Sequence, residues 1–149
     1  MKLRLYLDTS VFSAYYDDRL PDRRALTEDF WKRLREFEVS TSELTREEVE
    51  QTLDPELRAK LEALVSGLIV HAVTDEAKQL ARSYVDAGVF SPAMFNDAVH
   101  VAAAVQTRQD VLLSWNFKHL VNRRRRARVN EVNTSLGLPT IEILAPPEV

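Results

Sequence analysis

Cysteine is absent from the 149 residues. Its absence excludes a disulfide framework and any thiolate metal site, and it fits a reducing cytoplasm. Long apolar runs are missing as well. Asp8 interrupts the segment that follows Lys2 and Arg4 before it reaches signal-peptide length, and no uncharged run approaches the roughly 18 residues of a membrane span. A cytoplasmic protein with no membrane partner is expected. There is no surplus of positive charge: 20 Lys and Arg stand against 23 Asp and Glu, a formal -3, so no global field marks the chain as a nucleic-acid binder. Glycine and proline are scarce, at 3 and 6, and no stretch reads as a repeat or linker. With 45% hydrophobic residues, positions 1–149 read as a single domain with a sizeable core.

The apolar segments that are present are short and end on polar residues. Leu3, Leu5 and Leu7 lead into Asp8, Thr9 and Ser10, which predicts a buried strand ending on a carboxylate. Leu26, Phe30, Leu34 and Phe37 recur at helical spacing and predict one amphipathic helix through Phe37. Further strands are predicted at 37–42, 68–73, 111–114 and 140–144. Between them lie an acidic helical segment (Glu43 to Glu50), a helix opened by Asp54-Pro55, one capped by Thr74, and one from Asp97 to Val105 that is apolar on nearly every side. The tail Ala145-Pro146-Pro147 reads as extended. Strands alternating with helices argue for an α/β fold, three layers α/β/α around a mainly parallel sheet of about five strands.

In such a sheet Asp8, Glu48, Asp97, Ser114 and Asn116 all fall beside strand ends or helix starts, and in a parallel sheet those ends share one edge. Carboxylates brought together there repel one another unless a cation lies between them. Oxygen donors alone suit Mg²⁺ or Mn²⁺, which orients a phosphate and activates water for in-line displacement.

Four segments in order, Tyr6-Leu7-Asp8-Thr9-Ser10, Ser42 to Val49, Asn96 to Ala104 and Leu113-Ser114-Trp115-Asn116-Phe117, resemble the successive motifs of the PIN domain family. The resemblance implies a metal-dependent endoribonuclease, and for small members the toxin of a VapC-type toxin–antitoxin pair. Its implied partners are an RNA substrate, a small antitoxin protein and a second copy of the chain. Carried over by position, Asp8, Glu48 and Asp97 are the metal ligands and Ser114 a polar accessory. Glu48 matches because it follows Thr45 by three and precedes Val49, with Glu47 as the alternative. Asn116 stands where many relatives carry a fourth acid, which removes one negative charge from the site. The runner-up is therefore a weak or non-catalytic PIN-like scaffold that binds RNA or protein.

Each residue also has a plainer reading. Asp8 and Asp97 suit helix caps, Asn116 a turn, and acids such as Glu48 simply favour the positive end of a helix. His100 reads as packed on its helix and His119 as a lone histidine. The one dense cationic block, Arg123, Arg124, Arg125, Arg126 and Arg128 with Lys118 ahead of it, is either a solvated helix face or a grip for RNA phosphates or an acidic partner. A phospho-acceptor site on Asp8 is disfavoured, because Ser114-Trp115-Asn116 supplies no lysine at the late strand end.

Overall fold

A computed structural model describes residues 1–149. Five strands, β1 (Arg4–Leu7), β2 (Glu38–Ser42), β3 (Ile69–His71), β4 (Val111–Leu113) and β5 (Glu142–Leu144), form one sheet in the order β3-β2-β1-β4-β5. Every pairing is parallel. From β1 the chain runs outward through β2 to β3, then crosses to the other side to lay down β4 and β5. The sheet therefore changes winding direction between β1 and β4, where a crevice opens at the carboxyl ends.

Alternation along the strands divides the core. Leu5, Leu7, Val111 and Leu113 face a layer made of α1 (Thr9–Tyr15), α2 (Pro21–Trp31) and α4 (Pro55–Ser66). Tyr6, Leu112 and Ile143 face α5 (Asp75–Asp86), α6 (Phe95–Gln106) and α7 (Arg123–Ser135). The short α3 (Glu43–Glu50) follows β2 directly and adds Leu44 to the second layer. In α6, Ala98 to Val105 are all buried, and its small side chains let it lie close under the sheet. Full burial of each Leu or Val stabilises the fold by about 1.5–3 kcal/mol, so the two apolar layers hold the strand ends at fixed separations. No helix is long and apolar enough to cross a membrane.

Three sequence expectations need correction. The helix predicted to run through Phe37 stops at Trp31, and Leu34–Glu36 form a separate 3₁₀ turn. The Glu38 amide must donate to the Leu3 carbonyl to start the β1–β2 pairing, so Phe37 is already extended and the helix has to end before it. Within the helix Leu26 is exposed, while Phe30 is buried. Leu3, likewise expected in the first strand, precedes it and is exposed. The tail is not extended throughout: Pro146–Glu148 make a 3₁₀ turn, because proline presets its first position and Glu148 Oε1 accepts from the Ala145 amide at 2.9 Å.

Candidate active site

Asp8 is the first residue beyond β1. Its backbone N–H still donates to the Leu113 carbonyl, which continues the β1–β4 ladder into the crevice and fixes where the side chain starts. Oδ1 accepts from the Ser10 amide at 3.0 Å and the Ser10 hydroxyl at 2.5 Å, and Oδ2 accepts from the Ser114 hydroxyl at 2.6 Å. Asp8 is thus the cap of α1 and a crevice residue at once. Both hydroxyls are themselves polarised: Ser10 Oγ accepts from the Trp115 amide and Ser114 Oγ from the Asn116 amide, each at 2.9 Å. Burial nonetheless pushes the Asp8 carboxyl above the usual carboxylate range, and the charge of Asp97 adds to the rise. His100, Ser10 and Ser114 oppose it without cancelling it.

Asp97 lies in the first turn of α6, with its side chain 23% exposed. Neither it nor Asn96 caps that helix. Its Oδ2 is 3.0 Å from His119 Nδ1, while Oδ1 has no protein hydrogen bond. The turn after β4 is what delivers His119, because Asn116 Oδ1 accepts from the His119 amide at 2.9 Å. The Asn116 carbonyl oxygen is therefore committed to shaping the turn, and His119, rather than Asn116, meets the acid of α6.

Glu48 faces inward from α3, whereas Glu47 is exposed. Its Oε1 accepts from Thr9 Oγ1 at 2.7 Å and shares a 2.6 Å hydrogen bond with His100 Nε2. His100 Nδ1 is 2.7 Å from the Tyr6 hydroxyl, which is 2.7 Å from Ser42 Oγ. Burial raises the Glu48 carboxyl, but the hydrogen bonds from His100 and Thr9 outweigh it and hold Glu48 below its ordinary value. An ionised Glu48 needs Nε2 as donor; with the ring proton there, Nδ1 can accept from the Tyr6 hydroxyl, and Tyr6 can in turn accept from Ser42. This chain joins β2, β1, α6 and α3, and it is what sets the position of Glu48.

The arginine block divides in two. Arg125 donates to the Val89 carbonyl and stacks over the Phe90 ring, with Cζ 4.7 Å from its centroid. Arg128 donates to the Ala87 and Gly88 carbonyls. Those carbonyls lie at the C-terminal end of α5, where cations are favoured, and Gly88 at φ 75° supplies the left-handed turn that exposes them. Arg126 pairs with Glu142 at 3.2 Å. Arg123 and Arg124 are exposed and form no ion pair, and Arg124 shares a cleft with Lys118. Sequence pattern gave no means to separate these roles, because the partners are backbone carbonyls far along the chain.

The donor set suits a hard cation. No three His, Asp or Glu side chains converge tightly enough to enclose an ion by themselves. Mg²⁺, however, usually keeps several waters and takes only one or two carboxylates. The charge of Asp97 adds to the burial that raises the Asp8 carboxyl, and Asp97 Oδ1 is unengaged, so a cation held through both and through water fits these residues. His100 and His119 are the polar groups that sequence reading did not connect to the acids.

A comparison of the sequence with curated proteins finds no match. Among solved structures, the fold is similar to a toxin–antitoxin complex from Klebsiella pneumoniae, with TM-score 0.58, 14% identity, and 81% of this chain and 93% of that one covered. It is also similar to Mycobacterium tuberculosis VapC20, described as a toxin that cleaves the sarcin-ricin loop, with TM-score 0.59, 17% identity and coverage of 77% and 92%. DNA-bound VapBC from Salmonella typhimurium gives TM-score 0.54 at 19% identity, covering 97% and 98%. At these identities the likeness establishes the fold alone. The PIN domain family model matches residues 5–118, the stretch from β1 through the turn that carries Asn116 and Lys118. The chain is a member of the PIN domain family.

Proposed function

We propose that the protein is an Mg²⁺- or Mn²⁺-dependent endoribonuclease, the toxin of a cytoplasmic toxin–antitoxin pair, with Asp8 and Asp97 as the primary metal ligands. The observation that carries this reading is a buried carboxylate, Asp8, held by Ser10 and Ser114 at the winding switch of a parallel sheet, with Asp97 in the first turn of α6 presenting an unengaged Oδ1. Toxin–antitoxin complexes among the similar folds support an antitoxin partner and self-association.

When bound, the cation supplies Lewis-acid polarisation of the phosphoryl group and lowers the pKa of water. The chain's own part is positional. Ser10 and Ser114 hold both Asp8 oxygens, so that carboxylate cannot rotate away. His119 orients Asp97 through Oδ2 and leaves Oδ1 free, so Asp97 would hold the cation through that oxygen. Glu48, anchored on Oε1 by His100 and Thr9, would help hold the cation and would position a water for attack on the phosphate. Ser114 and Asn116 form the polar rim, and Lys118 with Arg123 and Arg124 attracts the RNA backbone, while Arg125 and Arg126 act mainly on the fold. Lacking a fourth acid, the site binds metal more weakly than a four-carboxylate site, by about 1–4 kcal/mol for one charge near 4 Å.

The purified protein is expected to cleave single-stranded RNA with added Mg²⁺ or Mn²⁺ and to lose that activity in EDTA. Cleavage that persists in EDTA contradicts the metal role. RNA binding with no cleavage under any metal supports instead the scaffold reading, which the engagement of Asn116 in its turn favours.

A further inference from the structure

The turn that carries Asn116 also builds a second feature, on the side of the crevice away from Asp97. Trp115 is buried and rigidly held: its Nε1 donates to Thr27 Oγ1 at 2.9 Å, and Thr27 donates to the Arg23 carbonyl at 2.7 Å. Above that floor the Arg23 guanidinium lies 5.0 Å from the Trp115 centroid and 5.9 Å from that of Phe117. Phe117 packs edge-on against Trp115 at 6.1 Å, yet it remains 47% exposed. Arg23 forms no ion pair. Asp17, the acid in the same cleft, has both oxygens bound by Arg19. The cleft has a volume of about 450 Å³, includes Lys118, and reaches Ser10 and Asn116, the neighbours of Asp8.

An exposed aromatic ring beside an unpaired guanidinium on a fixed floor is poorly explained by packing alone. Core packing would bury Phe117, and a solvated arginine would not be stacked on two rings. Bases of single-stranded nucleic acid stack on such aromatic and guanidinium surfaces, while neighbouring cations take the phosphates. We infer that Arg23 and Phe117 form a stacking shelf for one unpaired nucleobase adjacent to the scissile phosphate, with Lys118 on the linking phosphate. The assignment rests on the ribonuclease reading above and adds to it the surface that selects an unstacked nucleotide. Base-paired RNA cannot present a face to this shelf.

The test is binding in EDTA, where cleavage is blocked, of a fluorescently labelled single-stranded oligoribonucleotide to the full chain, followed by anisotropy. Loss of one base stack predicts about 5- to 150-fold weaker binding for Phe117→Ala. Phe117→Leu, which keeps apolar bulk, should be similarly weak, and Phe117→Tyr should bind like wild type. An oligonucleotide with a single abasic position, moved along the strand, should bind wild type weakly at one register and there erase the difference from Phe117→Ala. Wild-type affinity in both Phe117→Ala and Phe117→Leu, with RNA still bound and cleaved by wild type, overturns the shelf alone and leaves the nuclease reading intact. That result would assign the exposed ring to a protein contact. No RNA binding by wild type at low salt overturns both.

Discussion

Asp8→Asn and Asp97→Asn should each lower metal-dependent RNA cleavage by about 10³-fold, the scale of losing several kcal/mol of transition-state charge stabilisation. Their effects on stability should differ in a way that ordinary core damage would not. Burial holds the Asp8 pKa above its unfolded value, so in the metal-free protein its ionisation opposes folding. Stability should therefore fall as pH rises from the unfolded carboxylate pKa through the raised folded one, and level off above it. Glu48 has the opposite sign: its depressed pKa gives a contribution present at neutral pH and lost as pH falls through the folded value. Asp8→Asn should remove the first slope and keep the second, and at neutral pH without metal it should unfold no more easily than wild type. Urea denaturation from about pH 2 to 8 in EDTA reads both slopes. An Asp8→Asn protein with the wild-type profile would show that burial of this carboxylate carries no cost and needs no cation.

His100→Ala should be the most destabilising change in the site. It removes in one step one of the two partners of the fully buried Tyr6 hydroxyl and one of the two of Glu48. Leaving a buried polar group and a carboxylate underpaired costs about 2–4 kcal/mol, or roughly 10 °C of melting temperature for a chain of this size. Activity should fall too, because Glu48 would keep only Thr9 to position it. His100→Gln, whose amide can still donate towards Glu48, should recover part of both losses. Thermal unfolding followed by circular dichroism measures the first effect, and an unmoved midpoint for His100→Ala would mean that the Ser42-Tyr6-His100-Glu48 chain is not holding these elements together.

The sequence carried the two acids clearly and their partners hardly at all, for a physical reason. Asp8 and Asp97 interrupt or open strongly apolar segments, so the same periodicity that defines the strand and the buried helix also marks the acids as lying at the core's edge. His100 sits inside the apolar run of α6, and nothing in spacing says that its ring meets Glu48 52 residues away. His119 and Asp97, 22 residues apart, are joined only by the way the turn after β4 folds beside α6. Asn116 reads from sequence as a turn residue at the crevice, and nothing there marks it as the residue that positions His119. The arginine block shows the same limit from the other side: a charge run reads alike whether it faces solvent or, as with Arg125 and Arg128, satisfies carbonyls at the end of α5. Local propensity erred where a strand pairing overrode it, at Phe37, and was sound where apolar alternation met a polar stop.

The central claim is that Asp8 and Asp97 hold one divalent cation between them. Calorimetric titration of Mn²⁺ and Mg²⁺ into wild type, Asp8→Asn and Asp97→Asn tests it without any substrate. One site per chain in wild type, with affinity lowered about tenfold or more by either substitution, is the predicted result. Metal binding that is absent from wild type, or that survives both substitutions unchanged, would contradict it.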